Sequence, residues 1–205
     1  MSTEIHGAIE YRHPDPDDEG PGRWNAAMDL WPLYDRSDYE AFACLFGVRN
    51  HAGFRPPADG RGLPPDLSDA LRSDLGPLVD AGDLHSATWA DWAEIAALDP
   101  HATPARYTGR LSWSTTSPPV TRERRLVPEQ WPADVLAAVG PPPAGLDRTT
   151  GVSHWTHADV QCRYEPLTAA CLLGPGTHWP HVFAVMKALA DRFGDHGVRL
   201  VVAFN

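Results

Sequence analysis

Residues 179–205 read Trp-Pro-His-Val-Phe-Ala-Val-Met-Lys-Ala-Leu-Ala-Asp-Arg-Phe-Gly-Asp-His-Gly-Val-Arg-Leu-Val-Val-Ala-Phe-Asn. Apolar side chains at 182, 183, 186, 189, 190 and 193 follow the 3.6-residue period, which predicts a helix with one apolar stripe. Pro180 suits its first turn, where a missing N–H costs nothing, and Gly194 suits its end. The apolar run 198–204 then predicts a buried closing strand.

Working outward, Ile5 to Tyr11 is β-rich and reads as an opening strand, and Trp24 to Trp31 reads as its hairpin partner. Between them, residues 13–23 hold three Pro and four acids, an exposed acidic loop. Ser37 or Asp38 caps a helix through Phe46 with Gly47 as terminator. Residues 50–66 form an irregular Gly/Pro/Arg loop, and a short helix from 66 to 75 is expected to stop at Gly76-Pro77. Thr88-Trp89-Ala90-Asp91 has the spacing of a capping box and predicts a helix that stops before Pro100. Across 101–150 the pattern weakens, so this stretch is expected to be irregular or an insertion. Within it 107–113 and 120–127 have the composition to pair, and 131–139 that of a helix. Residues 152–164 alternate and read as one strand. Strands and helices in this order predict an α+β fold, one domain over 1–205, with a mixed or mostly antiparallel sheet and helices packed on one face.

The 205 residues carry Lys+Arg 17 against Asp+Glu 27, a formal net charge of −10, and are 42% hydrophobic. That apolar fraction, with eight Trp, is enough for a core and excludes wholesale disorder. Lys187 is the one lysine, so nearly all the cations are Arg. Net acidity argues against nucleic acid as a partner, since counterion release needs clustered positive charge. No run of about 20 apolar residues is present, so no membrane association is expected. Met1-Ser2-Thr3-Glu4 has neither the basic nor the apolar region of a secretory signal. Cys44, Cys162 and Cys171 are odd in number and lack C-x-x-C spacing, as befits reduced thiols. A cytoplasmic location is the expectation.

Blocks Glu4-Ile5-His6-Gly7-Ala8-Ile9-Glu10, Asp38-Tyr39-Glu40-Ala41-Phe42 with Val48-Arg49-Asn50, Arg61-Gly62-Leu63-Pro64-Pro65-Asp66, His85-Ser86-Ala87-Thr88-Trp89 and 198–205 occur in that order. Together they resemble a family of small phage and actinobacterial proteins that often open Met-Gly-Cys-Asp-Ile-His. The resemblance implies a single folding unit and a set of candidate residues; it implies no reaction. Three positions depart from the family pattern: Glu4 stands for an Asp, Ala87 for the second His of His-Ser-His-Ser-Trp, and Phe204-Asn205 lacks an intervening Asp.

Four constellations carry candidate chemistry. On a strand, His6 and Glu10 share a face with Glu4, offering an imidazole and carboxylates for acid–base work or a divalent metal. The same alternation arises on any edge strand with a solvated face, and both readings stand. His85 and Ser86 precede the expected helix start, where unpaired amides suit phosphate or carboxylate. Equally, Ser86 and Thr88 act only as caps, with His85 beneath Trp89. Arg49, Arg55 and Arg61 line the irregular loop, and guanidinium forks suit the same anions. Arg61 can instead tie the loop to Asp59 or Asp66. His154-Trp155-Thr156-His157 and His178-Trp179-Pro180-His181 repeat a His-Trp-x-His pattern. On helical turns His154, His157, His178 and His181 suit Zn²⁺ at about 2.0–2.1 Å. On a strand, His154 and His157 point to opposite faces. Nucleophile-elbow, phosphate-loop, dinucleotide and His-Glu-x-x-His motifs are absent.

The leading expectation is a small hydrolase or transferase acting on an anionic small molecule such as a nucleotide. His6 or His85 would be the general base, and Glu10 would orient it or hold a divalent metal. Arg49, Arg61 and Ser86 would bind the substrate. All of this requires His6 and His85 to meet in one hollow. The rival expectation is a non-catalytic accessory protein whose acidic, Trp-rich surface meets a protein partner.

Overall fold

The computed structural model describes residues 3–12, 22–116, 119–127, 130–149 and 151–205. The chain divides into two compact units: Met1–Asn50, Arg55–Leu98 and Leu173–Asn205 form the first, His51–Phe54 and Asp99–Leu172 the second. The acidic loop expected at 13–23 lies, through residue 21, outside the described residues.

The first unit is built on a four-stranded antiparallel sheet in the order β2-β1-β8-β3: β1 (Ile5–Arg12), β2 (Trp24–Asp29), β3 (His85–Asp91) and β8 (Val198–Phe204). β8 is buried at all seven positions, as its apolar run predicts. Successive residues of β8 leave opposite faces. Val201 and Ala203 meet Ala8, Leu71 and Leu75, the last two from helix α2 (Asp69–Ala81). Phe204 meets Phe42 and Phe46 of helix α1 (Tyr39–Phe46) at ring separations of 5.2 and 5.9 Å. Trp179, the first residue of helix α6 (Trp179–Phe193), joins the same aromatic cluster at 6.0 Å from Phe46. This sheet is therefore covered on both faces, where helices on one face were expected.

Local chemistry accounts for most boundaries. Asp38 caps α1 by accepting from the Ala41 amide at 3.3 Å, and Gly47 at φ 74° ends it. Ser68 caps α2 by accepting from the Leu71 amide. α2 runs through Gly76-Pro77 to Gly82, past the expected stop. Pro77 removes only the bond to the Ser73 carbonyl, and both residues are solvent-exposed, while Leu71 and Leu75 anchor the helix. The helix expected from Thr88 is displaced. Residues 85–91 are strand β3, and the capping box belongs to Asp91 and Glu94, opening the five-residue α3 (Trp92–Ala96). Tertiary pairing decides this: Thr88, Trp89 and Ala90 lie opposite Val202, Val201 and Leu200, and the Thr88 hydroxyl donates to the Ala58 carbonyl.

The second unit carries its own antiparallel sheet in the order β5-β4-β7-β6: β4 (Gly109–Thr116), β5 (Pro119–Leu126), β6 (Ser153–His157) and β7 (Val160–Pro166). Helix α4 (Ala133–Val139) covers one face, with Val135 and Val139 against Leu111, Trp113, Cys162 and Tyr164. Regular structure thus occupies much of 101–150, where irregularity was expected overall, and the paired strands read at 107–113 and 120–127 and the helix read at 131–139 are found there as β4, β5 and α4. The single strand expected over 152–164 is a hairpin, broken at Ala158 with φ 53° and Asp159. A short α5 (Ala169–Leu173) follows. The fold class is α+β with antiparallel strands, as read from the sequence; the strands form two sheets. Among the described residues no helix is long and apolar enough to cross a membrane.

Candidate functional site

The residues nominated from sequence do not converge. His6 lies opposite Ala203 on one side of β8, and His85 opposite Phe204 on the other. Consecutive residues of a strand face opposite ways, so the two imidazoles leave opposite faces with a whole strand between them. His6 is half-buried, its Nε2 enclosed without a hydrogen-bond partner. His85 is exposed, its Nδ1 2.9 Å from the Ser86 hydroxyl. With residues 85–91 in a strand, neither His85 nor Ser86 stands at a helix N-terminus. Ser86 instead takes φ 51° where the β3 register shifts.

Glu10 is fully buried on an interior strand, so the solvated-edge reading fails as well. Its Oε2 accepts from Arg199 Nε at 2.7 Å and its Oε1 from the Ser68 amide at 2.9 Å. Arg61 is equally committed. It makes a two-pronged ion pair with Glu94 at 2.8 and 2.5 Å and donates to the Trp89 and Pro57 carbonyls. That pairing raises the Arg61 pKa and holds the Glu94 carboxyl below its usual range. Arg49, at φ 52°, lays its guanidinium over the Tyr39 ring at 4.9 Å. His154 and His157 sit on β6, on opposite faces. His178 pairs with Asp35 at 2.8 Å, and its ring centroid is 6.2 Å from that of His181. The two His pairs belong to different units. Among the described residues no group of three or more His, Cys, Asp or Glu is placed to hold a metal ion.

What the first unit does assemble is centred on Arg199. This guanidinium, with 2% side-chain exposure, lies 3.8 Å from the Trp24 ring centroid and 5.7 Å from that of Trp89. Arg12 lies over Trp24 at 5.2 Å and Arg61 over Trp89 at 4.8 Å, so cations and indoles alternate through five residues. A desolvated cation over an indole is worth about 2 kcal/mol, an exposed one about 0.5–1. Asp66 accepts from Arg199 Nη1 at 2.7 Å and from Trp24 Nε1 at 2.8 Å, and its carbonyl accepts from Nη2 at 3.1 Å. Burial pushes the Asp66 carboxyl up, but these donors outweigh it and hold it below the usual range.

A cleft of about 520 Å³ opens over this group, lined by Trp24, Asp66, Trp89, Asp91, His196, Arg12, Arg199 and Pro65. At its edge His196 Nδ1 lies 2.7 Å from Asp91 Oδ2, while Asp91 Oδ1 accepts from the Glu94 amide at 2.8 Å. The hydrogen bond that Asp91 accepts, and then its charge, raise the His196 pKa. Each carboxylate in the cleft thus has its donors. The polar capacity left over among the described contacts consists of the Arg12 guanidinium, His196 Nε2 and two of the five N–H groups of Arg199.

Sequence reasoning passed over most of these residues. Arg199 had a readable signal, a charge inside an otherwise apolar strand, which must find a buried partner. His196, in a short 3₁₀ turn (Asp195–Gly197), had none, because its role depends on β3 and β8 lying side by side. No family model, curated protein or solved structure matches the chain.

Proposed function

We propose that the chain is a hydrolase or transferase acting on an anionic small molecule with a flat, aromatic part, and that its site is the Trp24–Trp89 cleft. The observation that carries this reading is the 2.7 Å contact between His196 Nδ1 and Asp91. A carboxylate on Nδ1 fixes the tautomer and leaves the Nε2 lone pair free on a ring that lines the cleft. His196 then takes a proton from water or an acceptor hydroxyl as that oxygen attacks, and returns it to the leaving group. Arg12 and the spare N–H groups of Arg199 meet the negative charge, and the indole faces of Trp24 and Trp89 hold the flat part. The acid–base role expected for His6 or His85 with Glu10 passes to His196 and Asp91, and the anion role of Arg49, Arg61 and Ser86 to Arg12 and Arg199.

Calorimetric titration with phenyl phosphate and adenosine monophosphate, adenosine serving as the uncharged control, tests the reading. Both anions bind saturably, and Arg12→Ala weakens them about tenfold. Turnover of p-nitrophenyl phosphate or p-nitrophenyl acetate falls by about 10²-fold or more in His196→Ala, with binding retained. Absence of saturable anion binding, or binding indifferent to Arg12→Ala, overturns it.

A further inference from the structure

A second concavity in the first unit has the opposite character. It measures about 450 Å³ and lies among the start of β1, residues 31–37 and α2. Its floor is apolar, with Ala8, Leu71 and Leu75. Three carboxylates line it, Glu4, Asp29 and Asp74, and among the described contacts none has a cation partner. Asp35, also on the rim, is taken by His178, and Arg36 is the one Arg or Lys in the lining. At its mouth Trp31 is 78% and Leu78 41% exposed, and Met28 on the adjoining strand is 41% exposed. Large apolar side chains left open beside unpaired carboxylates mark a surface built for a partner that is both apolar and positive.

The strand next to the cleft narrows the kind of partner. β2 is an edge strand, five of its six residues are exposed, and among the described residues no strand pairs with its outer side. It ends at Asp29, which lines the cleft. An extended chain added along β2 would make main-chain hydrogen bonds and drop alternate side chains toward Asp29, Trp31 and the apolar floor.

We infer that this edge and cleft together dock an extended segment of a partner polypeptide, which pairs with β2 and inserts an Arg or Lys side chain between the carboxylates. The partner is thus a basic, aliphatic segment of about four to six residues, the length β2 can pair. Apart from Trp24, the buried first residue of β2, this surface shares no residue with the Trp24–Trp89 cleft and differs from it in charge, and the inference stands without that site.

Titrating ¹⁵N-labelled protein with acetyl-Val-Arg-Val-Arg-Val-amide tests it. Binding is expected to shift the amides of β2 and residues 29–37 and to weaken as salt is added. It is expected to fall at least tenfold in Asp29→Asn/Asp74→Asn and in Trp31→Ala, whose exposed ring has no packing role to lose. The Gln-for-Arg peptide, or the same peptide N-methylated at alternate positions, is expected to bind at least tenfold more weakly. Equal affinity for the Gln peptide removes the charge component and overturns the inference. Equal affinity for the N-methylated peptide, or no binding at all, overturns it too. A concentration-dependent dimer in sedimentation that Trp31→Ala dissolves would assign the surface to a second copy, and would also overturn it.

Discussion

Glu10 and Arg199 show why residue type and position alone misassign a role. Alternation placed Glu10 correctly on the face that carries His6, yet its carboxylate is spent on a cation 189 positions away. Removing one partner of a buried pair strands the other charge, at a cost of about 3–5 kcal/mol, whereas an exposed pair contributes under about 1. Arg199→Met should therefore lower the unfolding free energy from urea titration by that larger amount, and Arg124→Met, from an exposed pair with Asp134, should leave it almost unchanged. A double Glu10→Leu/Arg199→Met variant should recover part of the loss. If the single Arg199 variant is as stable as wild type, the pair is not a keystone of this fold. His196 gives a second prediction at this scale. Its folded pKa lies above the unfolded value, so the stabilisation from Asp91 is fully present below the unfolded pKa, near 6.5, and is lost as pH rises through the folded pKa. An NMR titration should find the His196 midpoint shifted down by Asp91→Asn; identical midpoints in the two proteins would contradict the contact.

At the scale of the element, the sequence was legible wherever one stretch of chain decides its own fate. The α1 cap at Asp38, the α6 stripe and the apolar run of β8 all rest on local chemistry, and all are found where expected. Thr88-Trp89-Ala90-Asp91 was misread because two capping signals overlap three residues apart. The choice between them belongs to β8, which takes Thr88 to Asp91 as a strand and leaves the cap to Asp91. The two positions predict different losses. Asp91→Ala removes the acceptor of the Glu94 amide, and the lost cap should cost about 1–2 kcal/mol. Thr88→Ser keeps a hydroxyl for the Ala58 carbonyl but not the buried methyl, and should cost about 1 kcal/mol through packing. Chemical denaturation of both variants checks this; a helical signal kept in Thr88→Ser but lost in Thr88→Ala would instead mark Thr88 as a helix cap, since Ser caps as well as Thr. Gly7 makes the same point about context. A Cβ there would collide with the Val201 carbonyl, so Gly7→Ala must push β1 from β8, a requirement no local pattern announces.

For the whole molecule, composition stated the class and the charge but not their distribution. The −10 sits entirely in the three segments of the first unit, and the two segments of the second are formally neutral, with seven acids against seven Arg. The blocks that carry the resemblance, at 4–10, 38–50, 61–66, 85–89 and 198–205, also fall wholly in the first unit, and none falls in the second. Periodicity could not count the sheets, because which strands pair is a long-range choice and β4 to β7 are individually as strand-like as β1 to β3. The uneven charge makes the units respond differently to salt. Self-repulsion among excess carboxylates opposes compaction, and salt screens it, the Debye length falling from about 30 Å at 0.01 M to about 8 Å at 0.15 M. Raising salt over that range should slow amide hydrogen exchange in β1 and β8 while leaving β4 and β7 nearly unchanged. Sodium chloride is the right salt, because sulfate would strengthen apolar burial in both units alike. Read strand by strand by NMR, an equal response in the two sheets would mean that the units open together, and that their charge imbalance has no separate effect on stability.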